Sequence, residues 1–277
     1  MVKVKADLHN HLRTSSRSYD TDFNMTIDIA TRRLGDGAIF GVVNFADKRY
    51  EHFTGLRGYE RMYVGERNNG VYIPQQNVLV IKGQEVPAKE GHILVFGLGK
   101  DIHIKQYRTL QDTLREAKDN NGVVIVDHPF HSHGLGGYLE ANPTTLESID
   151  AIEVHNGEAA FGIPKTPFPY GANKRAQEFY DRIKRDFPHL GALASSDGHS
   201  MYELGRSWTE IDSLDLVERA NFVNSLRNSI KNTDGQTPKR KTNAVFGAID
   251  HLVDLAFIVK VAPKLGLGKV FETDRPS

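Results

Sequence analysis

The chain of 277 residues is 39% hydrophobic and 25% charged, which suffices for one large α/β domain. Lys plus Arg and Asp plus Glu each number 35, so no net charge marks nucleic acid or an anionic membrane as partner. The absence of cysteine excludes disulfides and thiolate metal sites, leaving His, Asp and Glu as metal donors. The opening from Met1 to Asp7 lacks the apolar core of a signal peptide, and no apolar run reaches membrane length. A cytoplasmic protein without a membrane partner is therefore expected.

In chain order, Val2-Lys3-Val4-Lys5-Ala6 alternates as a short strand and ends in Asp7-Leu8-His9-Asn10-His11. Residues two apart on a strand share a face, so both imidazoles point to one side. Such a pair is a metal-site candidate, and taken alone it is equally an incidental surface pair. A polar loop over 13–22 precedes a helix capped by Thr26 and running to about Leu34, with Gly35 past its end. Residues 38–43 read as a buried strand, giving a β-α-β start with parallel strands. Residues 49–76 read as irregular.

Val78 to Ile81 is the next strand and runs into Gly83-Gln84-Glu85-Val86; His92 to Phe96 follows after a turn at 89–91. Thr109 caps a helix carrying Leu110, Leu114 and Ala117, and Gly122 stops it. Residues 123–126 form a strand ending in Asp127-His128-Pro129. Further strands are expected over 149–154, 190–194 and 207–211. Helices are expected over 172–185 and from a Ser213 cap to about Ile230. Alternating strand and helix argues for an α/β barrel or a doubly wound sheet. Residues 231–243 read as a basic connection and 244–261 as an apolar helix packed on the barrel. Asp250, His251 and Asp254 count against a membrane span there.

His9, His11, Glu85, His92, His128, Asp197 and His199 all fall at strand ends in this reading. In α/β barrels the loops at the C-terminal strand ends converge on one mouth and carry the chemistry. Nitrogen and oxygen donors without thiolates suit Zn, Mn or Fe, and a carboxylate can bridge two ions.

Asp7-Leu8-His9-Asn10-His11, Gly83-Gln84-Glu85-Val86 with Glu90-Gly91-His92-Ile93-Leu94, His128-Pro129 and Ser196-Asp197-Gly198-His199 resemble the four motifs of the PHP (polymerase and histidinol phosphatase) family. Glu153-Val154-His155-Asn156-Gly157 and Leu204-Gly205-Arg206-Ser207-Trp208-Thr209 add to the match, which covers roughly Met1 to Ile211. The resemblance implies a distorted (β/α)7 barrel over residues 1–230, with 231–277 as linker and helical extension. It also implies metal-dependent phosphoester hydrolysis. By motif, His9, His11, Glu85 and Asp197 would hold a first metal. Glu85 would bridge to a second, held also by His92 and His128, and His199 would belong to a third site.

Phe45 stands where the family's second strand carries a His, and Ser15 and Ser16 stand where an acid is expected. Two divalent ions (Zn, Mn or Fe) are therefore expected, with the third site short of donors unless Asp20, Asp22, Asp47 or His52 supplies them. Arg13 and Arg206 are candidate phosphate clamps, His155 is a candidate substrate contact, and His199 is the candidate catalytic acid. His131 and His133 are expected to line the mouth. His103, His189 and His251 are expected at the surface or in packing.

Two close ions would lower the pKa of a bridging water and supply hydroxide as nucleophile. The expected substrate is a small phosphorylated molecule or a nucleotide. The alternatives are a nuclease or nucleic-acid-linked phosphodiesterase, kept open by the Arg- and Tyr-bearing segment 49–76, and a non-catalytic metal-binding scaffold.

Overall fold

Strand β1 (Lys3–Asp7) buries Val4 and Ala6 and turns Lys3 toward solvent, as its alternation requires. The computed structural model describes residues 2–11, 19–44, 49–55, 57–161, 171–199, 203–214, 216, 219–233 and 239–240. After β1 come α1 (Tyr19–Leu34), β2 (Ile39–Val42), α2 (Arg49–Gly55), β3 (Met62–Val64), β4 (Gly70–Ile73), β5 (Val78–Pro87) and β6 (His92–Phe96). They are followed by α3 (Leu110–Asp119), β7 (Val123–Val126), α4 (Gly136–Ala141), β8 (Ala151–Asn156), α5 (Ala172–Ile183), β9 (Gly191–Ser195), β10 (Ser207–Asp212), α6 (Phe222–Lys231) and β11 (Lys239–Arg240).

The sheet runs β11-β10-β1-β2-β5-β6-β7-β8-β9, with the β3–β4 hairpin added to β5. Pairs β1–β2, β2–β5, β7–β8 and β8–β9 are parallel. Pairs β1–β10, β5–β6 and β6–β7 are antiparallel. The turn between β5 and β6 is too short for a crossover helix, so β6 must return alongside β5. The ends of β9 and β1 then meet. His11 N–H donates to Gly198 O at 2.8 Å, and Gly198 N–H donates to His9 O at 3.1 Å. Thr209 Oγ1 closes the adjacent seam, accepting from Ala194 N at 2.7 Å and donating to Ala194 O at 3.1 Å. The result is a nearly closed barrel.

Strand alternation sorts the core into an interior and an exterior. Val123 and Ile125 join Ala6, Ile39, Ile81, Leu94, Ala151, Leu193 and Ile211 in one cluster, which Phe222, Leu226 and Ile230 of α6 cover from the starting end of β9. Val124 and Val126 face outward and pack with α3, α4 and α5. Phe40, Val42, Val78 and Val80 pack with α1 and α2. Among the described residues no helix is long and apolar enough to cross a membrane.

Three expectations are corrected. Helix α1 begins at Tyr19, and Thr26 is buried inside it, because burial outweighs the capping preference of a threonine. Segment 49–76 is ordered into α2, β3 and β4. Ser213 does not cap a helix: its N–H donates to Val2 O at 2.9 Å, extending the β10–β1 ladder, and α6 starts only at Phe222. The expected helix over 244–261 and most of the 231–243 connection lie outside the described residues.

Candidate metal centre

Glu85 lies on β5 and is buried, and its two oxygens face different histidines. Oε2 is 3.2 Å from His11 Nε2. Oε1 is 2.5 Å from His92 Nδ1 at the start of β6 and 3.6 Å from His128 Nε2 beyond β7.

On the Oε2 side, His9 Nε2 lies 3.3 Å from His11 Nε2 and 3.2 Å from Asp197 Oδ1, while His11 Nε2 lies 3.6 Å from that same oxygen. Donors of one ion held at about 2.1 Å stand about 3.0 to 3.6 Å apart for angles between about 90° and 120°, so these separations fit a common divalent cation. Asp197 Oδ1 is buried and accepts no hydrogen bond among the described residues, as expected of a carboxylate oxygen kept for a cation. Asp197 and His128 both hold positive φ, at 51° and 23°. For residues with a Cβ this costs about 1–3 kcal/mol each, a strain that accumulates at functional sites.

The first motif also builds the frame. Asp7 turns its carboxylate under β9, accepting from Ser196 N at 2.9 Å and Gly205 N at 2.7 Å. Burial raises its pKa to about 6. Gly157 is where β8 must approach β9: a Cβ there would come 2.3 Å from Ser196 O.

His199 stacks on His11 with ring centroids 4.5 Å apart, and its Nδ1 is 3.9 Å from Glu158 Oε2 and 3.7 Å from Asp197 Oδ1. Glu158, Asp197 and His199 form a further donor group. His133 stacks on His92 at 5.1 Å, and His131 meets His128 edge-on at 5.9 Å. Arg206 is held by its backbone, N–H to Ser196 Oγ at 3.0 Å, and its charge, after burial, lowers the pKa of Arg33. His155 is buried beside Asn173 at the start of α5, 3.3 Å from its Nδ2. His103 lies by Glu51, and His189 meets Leu146 O. Arg13, Ser15, Ser16, Phe45, Asp47 and His251 lie outside the described residues, as do the side chains of Asp20, Asp22 and His52.

Sequence reasoning missed three carboxylates. Glu153, wholly buried on β8, puts Oε1 3.2 Å from His9 Nδ1; its Oε2 accepts from His128 N at 2.7 Å and Asn156 Nδ2 at 2.8 Å. Asp127 is buried beside His128, and Glu158 reaches His199. Glu153 opens a quoted supporting motif, and Asp127 and Glu158 each stand next to a motif residue, yet position along the chain does not say which way a side chain turns.

Electrostatics follow from this crowding. Burial opposes a charge on His9, but Asp197 and Glu153 outweigh it and raise its pKa to about 10. Burial and the neighbouring His199 lower His11 to about 4. Burial works against ionised Glu85, and the bonds to His11, His128 and His92 override it, holding its pKa well below the carboxylate range.

The family model described as PHP-associated matches residues 171–229. No curated protein matches the sequence. Among solved structures, the chain is similar to a two-domain protein from Bacteroides vulgatus ATCC 8482 containing a predicted PHP-like metal-dependent phosphoesterase (18% identity, 83% of this chain, 64% of that one, TM-score 0.48). It is also similar to endonuclease Q from Pyrococcus furiosus (14% identity, 86% of this chain, 58% of that one, TM-score 0.52). A third similar structure is endonuclease Q in complex with a 27-mer duplex carrying an abasic lesion at the active site (14% identity, 84% and 58%, TM-score 0.52). The chain thus spans 64% or less of the length of these three structures. Four motifs thus converge on one mouth of a nearly closed mixed barrel, and the PHP-associated model matches the part of that barrel from α5 to α6.

Proposed function

We propose that the chain is a metal-dependent phosphoester hydrolase that holds two divalent ions, Zn, Mn or Fe, on either side of Glu85. The observation that carries this reading is the split of that carboxylate, with His9, His11 and Asp197 grouped at Oε2 and His92 and His128 at Oε1. When bound, such ions supply Lewis-acid charge for the phosphoryl oxygens and lower the pKa of an attacking water. Glu153 fixes the ring of His9, and Glu85 aligns His11 with His92. His199, with 39% of its side chain exposed above His11, is placed to give a proton to the leaving oxygen. Arg206, with Arg13 and His155, is assigned to the phosphate or the rest of the substrate. The substrate is a small phosphorylated molecule, and the compartment assigned is the cytoplasm.

A second reading, cleavage of a nucleic-acid phosphodiester, draws on the fold likeness to endonuclease Q, whose structure holds a lesion-bearing duplex. The same two-ion arrangement serves a monoester or a diester. The deciding experiment reconstitutes metal-free protein with Mn, Zn or Fe(II) and offers a phosphomonoester, a phosphodiester and a duplex with an abasic site. Ion-dependent turnover of the monoester supports the first reading, and cleavage of the duplex alone supports the second. Tight ion binding with no hydrolysis of any of them would leave a metal-binding scaffold.

A further inference from the structure

Asp127 follows β7, whose interior face carries Val123 and Ile125, so alternation brings its side chain to the same interior face at the mouth. A regular strand would send His128 to the opposite side. Instead His128 takes φ 23°, and its imidazole comes back beside Asp127, with Nε2 3.4 Å from Asp127 Oδ2. Two consecutive side chains thus converge at the cost of backbone strain.

The carboxylate of Asp127 is wholly buried, and neither of its oxygens accepts a hydrogen bond among the described residues. A buried ionised carboxylate left so costs several kcal/mol unless a cation sits against it. Its surroundings are built for one: ligand-capable atoms of His9, Glu85, Asp127 and His128 all lie within 4.8 Å of one another. The 3.4 Å from Asp127 Oδ2 to His128 Nε2 matches the separation of two donors on one ion held at about 2.1 Å.

We propose that Asp127 is a fourth protein ligand of the second ion, joining Glu85, His92 and His128 in a set of two carboxylates and two imidazoles. The proposal rests on the two-ion reading above and adds a residue that the His128-Pro129 motif does not include. It has a chemical consequence. A second carboxylate hardens the donor set and adds negative charge, which favours Mn(II) over Zn(II) at this position relative to a set with one carboxylate.

The test uses the full chain as wild type, Asp127→Asn and Asp127→Ala, loaded separately with Mn(II) and Zn(II). Elemental analysis and titration give stoichiometry and affinity, circular dichroism checks folding, and anomalous diffraction locates the ions in the wild type. The expected result is two ions in the wild type, the second within about 2.4 Å of an Asp127 oxygen. Asp127→Asn should keep the first ion and bind the second at least about tenfold more weakly, with the larger loss for Mn(II). Two ions with wild-type affinity in both variants would overturn the assignment to Asp127 and leave the two-ion reading standing, as would a second ion more than about 3 Å from both oxygens. A wild type that binds no ion at the mouth would bring down the two-ion reading itself, and this proposal with it.

Discussion

His9 Nδ1 lies 3.2 Å from Glu153 Oε1, a contact between wholly buried groups 144 residues apart. It leaves His9 Nε2 directed at Asp197 and His11. Carboxylates behind a ligating imidazole fix its tautomer and ring orientation, and their loss costs about 10- to 100-fold in metal affinity. Glu153→Gln is therefore expected to weaken the first ion by that factor while both ion positions persist. Competition with a chelator measures it, and unchanged affinity would show that Glu153 only packs.

Removing the charge at the centre should have a different signature. Glu85→Gln leaves the carboxamide in the same space but takes away the anion shared by His11 and His92. At least one metal equivalent should be missing by elemental analysis, and hydrolysis should fall with it. Wild-type metal content and turnover together would show that Glu85 bridges nothing.

Ion binding should release protons. Without metal, His9 has its pKa raised to about 10, since Asp197 and Glu153 outweigh the burial that opposes its charge. An ion at Nε2 needs the neutral ring, so at about pH 8 a proton must leave, and binding must weaken as pH falls. His11, lowered to about 4 by burial and His199, is already neutral and contributes none. Calorimetry in two buffers of different ionisation enthalpy should report at least about one proton released per protein. Binding heats independent of the buffer would contradict a protonated His9.

Stability depends on a second buried charge that faces away from the mouth. Lys82, three residues before Glu85 on β5, directs Nζ to Glu51 Oε1 at 2.7 Å, to Gly99 O at 3.1 Å, to Ile102 O at 3.2 Å and to Lys100 O. It clamps α2 and the 99–102 loop to the outside of the barrel. Lys82→Met should cost about 3–5 kcal/mol by stranding Glu51 and the carbonyls. The shift should appear in chemical denaturation, with metal stoichiometry unchanged, because the side chain leaves β5 on the face opposite Glu85. A loss below about 1 kcal/mol would mean that water replaces the ammonium freely.

Helix α3 is legible from end to end because its signals are local. Thr109 Oγ1 accepts from Asp112 N at 3.2 Å, and Leu110, Leu114 and Ala117 face the core. The beginning of α1 is not legible, since Thr26 obeys packing with its neighbours rather than its own capping preference. Nor is the ordering of 49–76, where the β3–β4 hairpin joins the sheet by pairing β4 with β5. Lys82 shows the same limit: a lone lysine in an apolar strand reads as an interruption until its carbonyl partners are brought to it.

By itself the sequence determined the donor types, their order and the strand ends that carry them. Those depend on residue chemistry and on periodicities within a few positions. Only the tertiary structure decided that Glu85 faces two groups of histidines, that Glu153 stands behind His9, and that Asp127 shares a side with His128. These relationships depend on sheet register, on where the barrel closes between His11 and Gly198, and on one residue with positive φ. A one-residue change in register would turn each of these side chains to the other face, so local sequence cannot assign them.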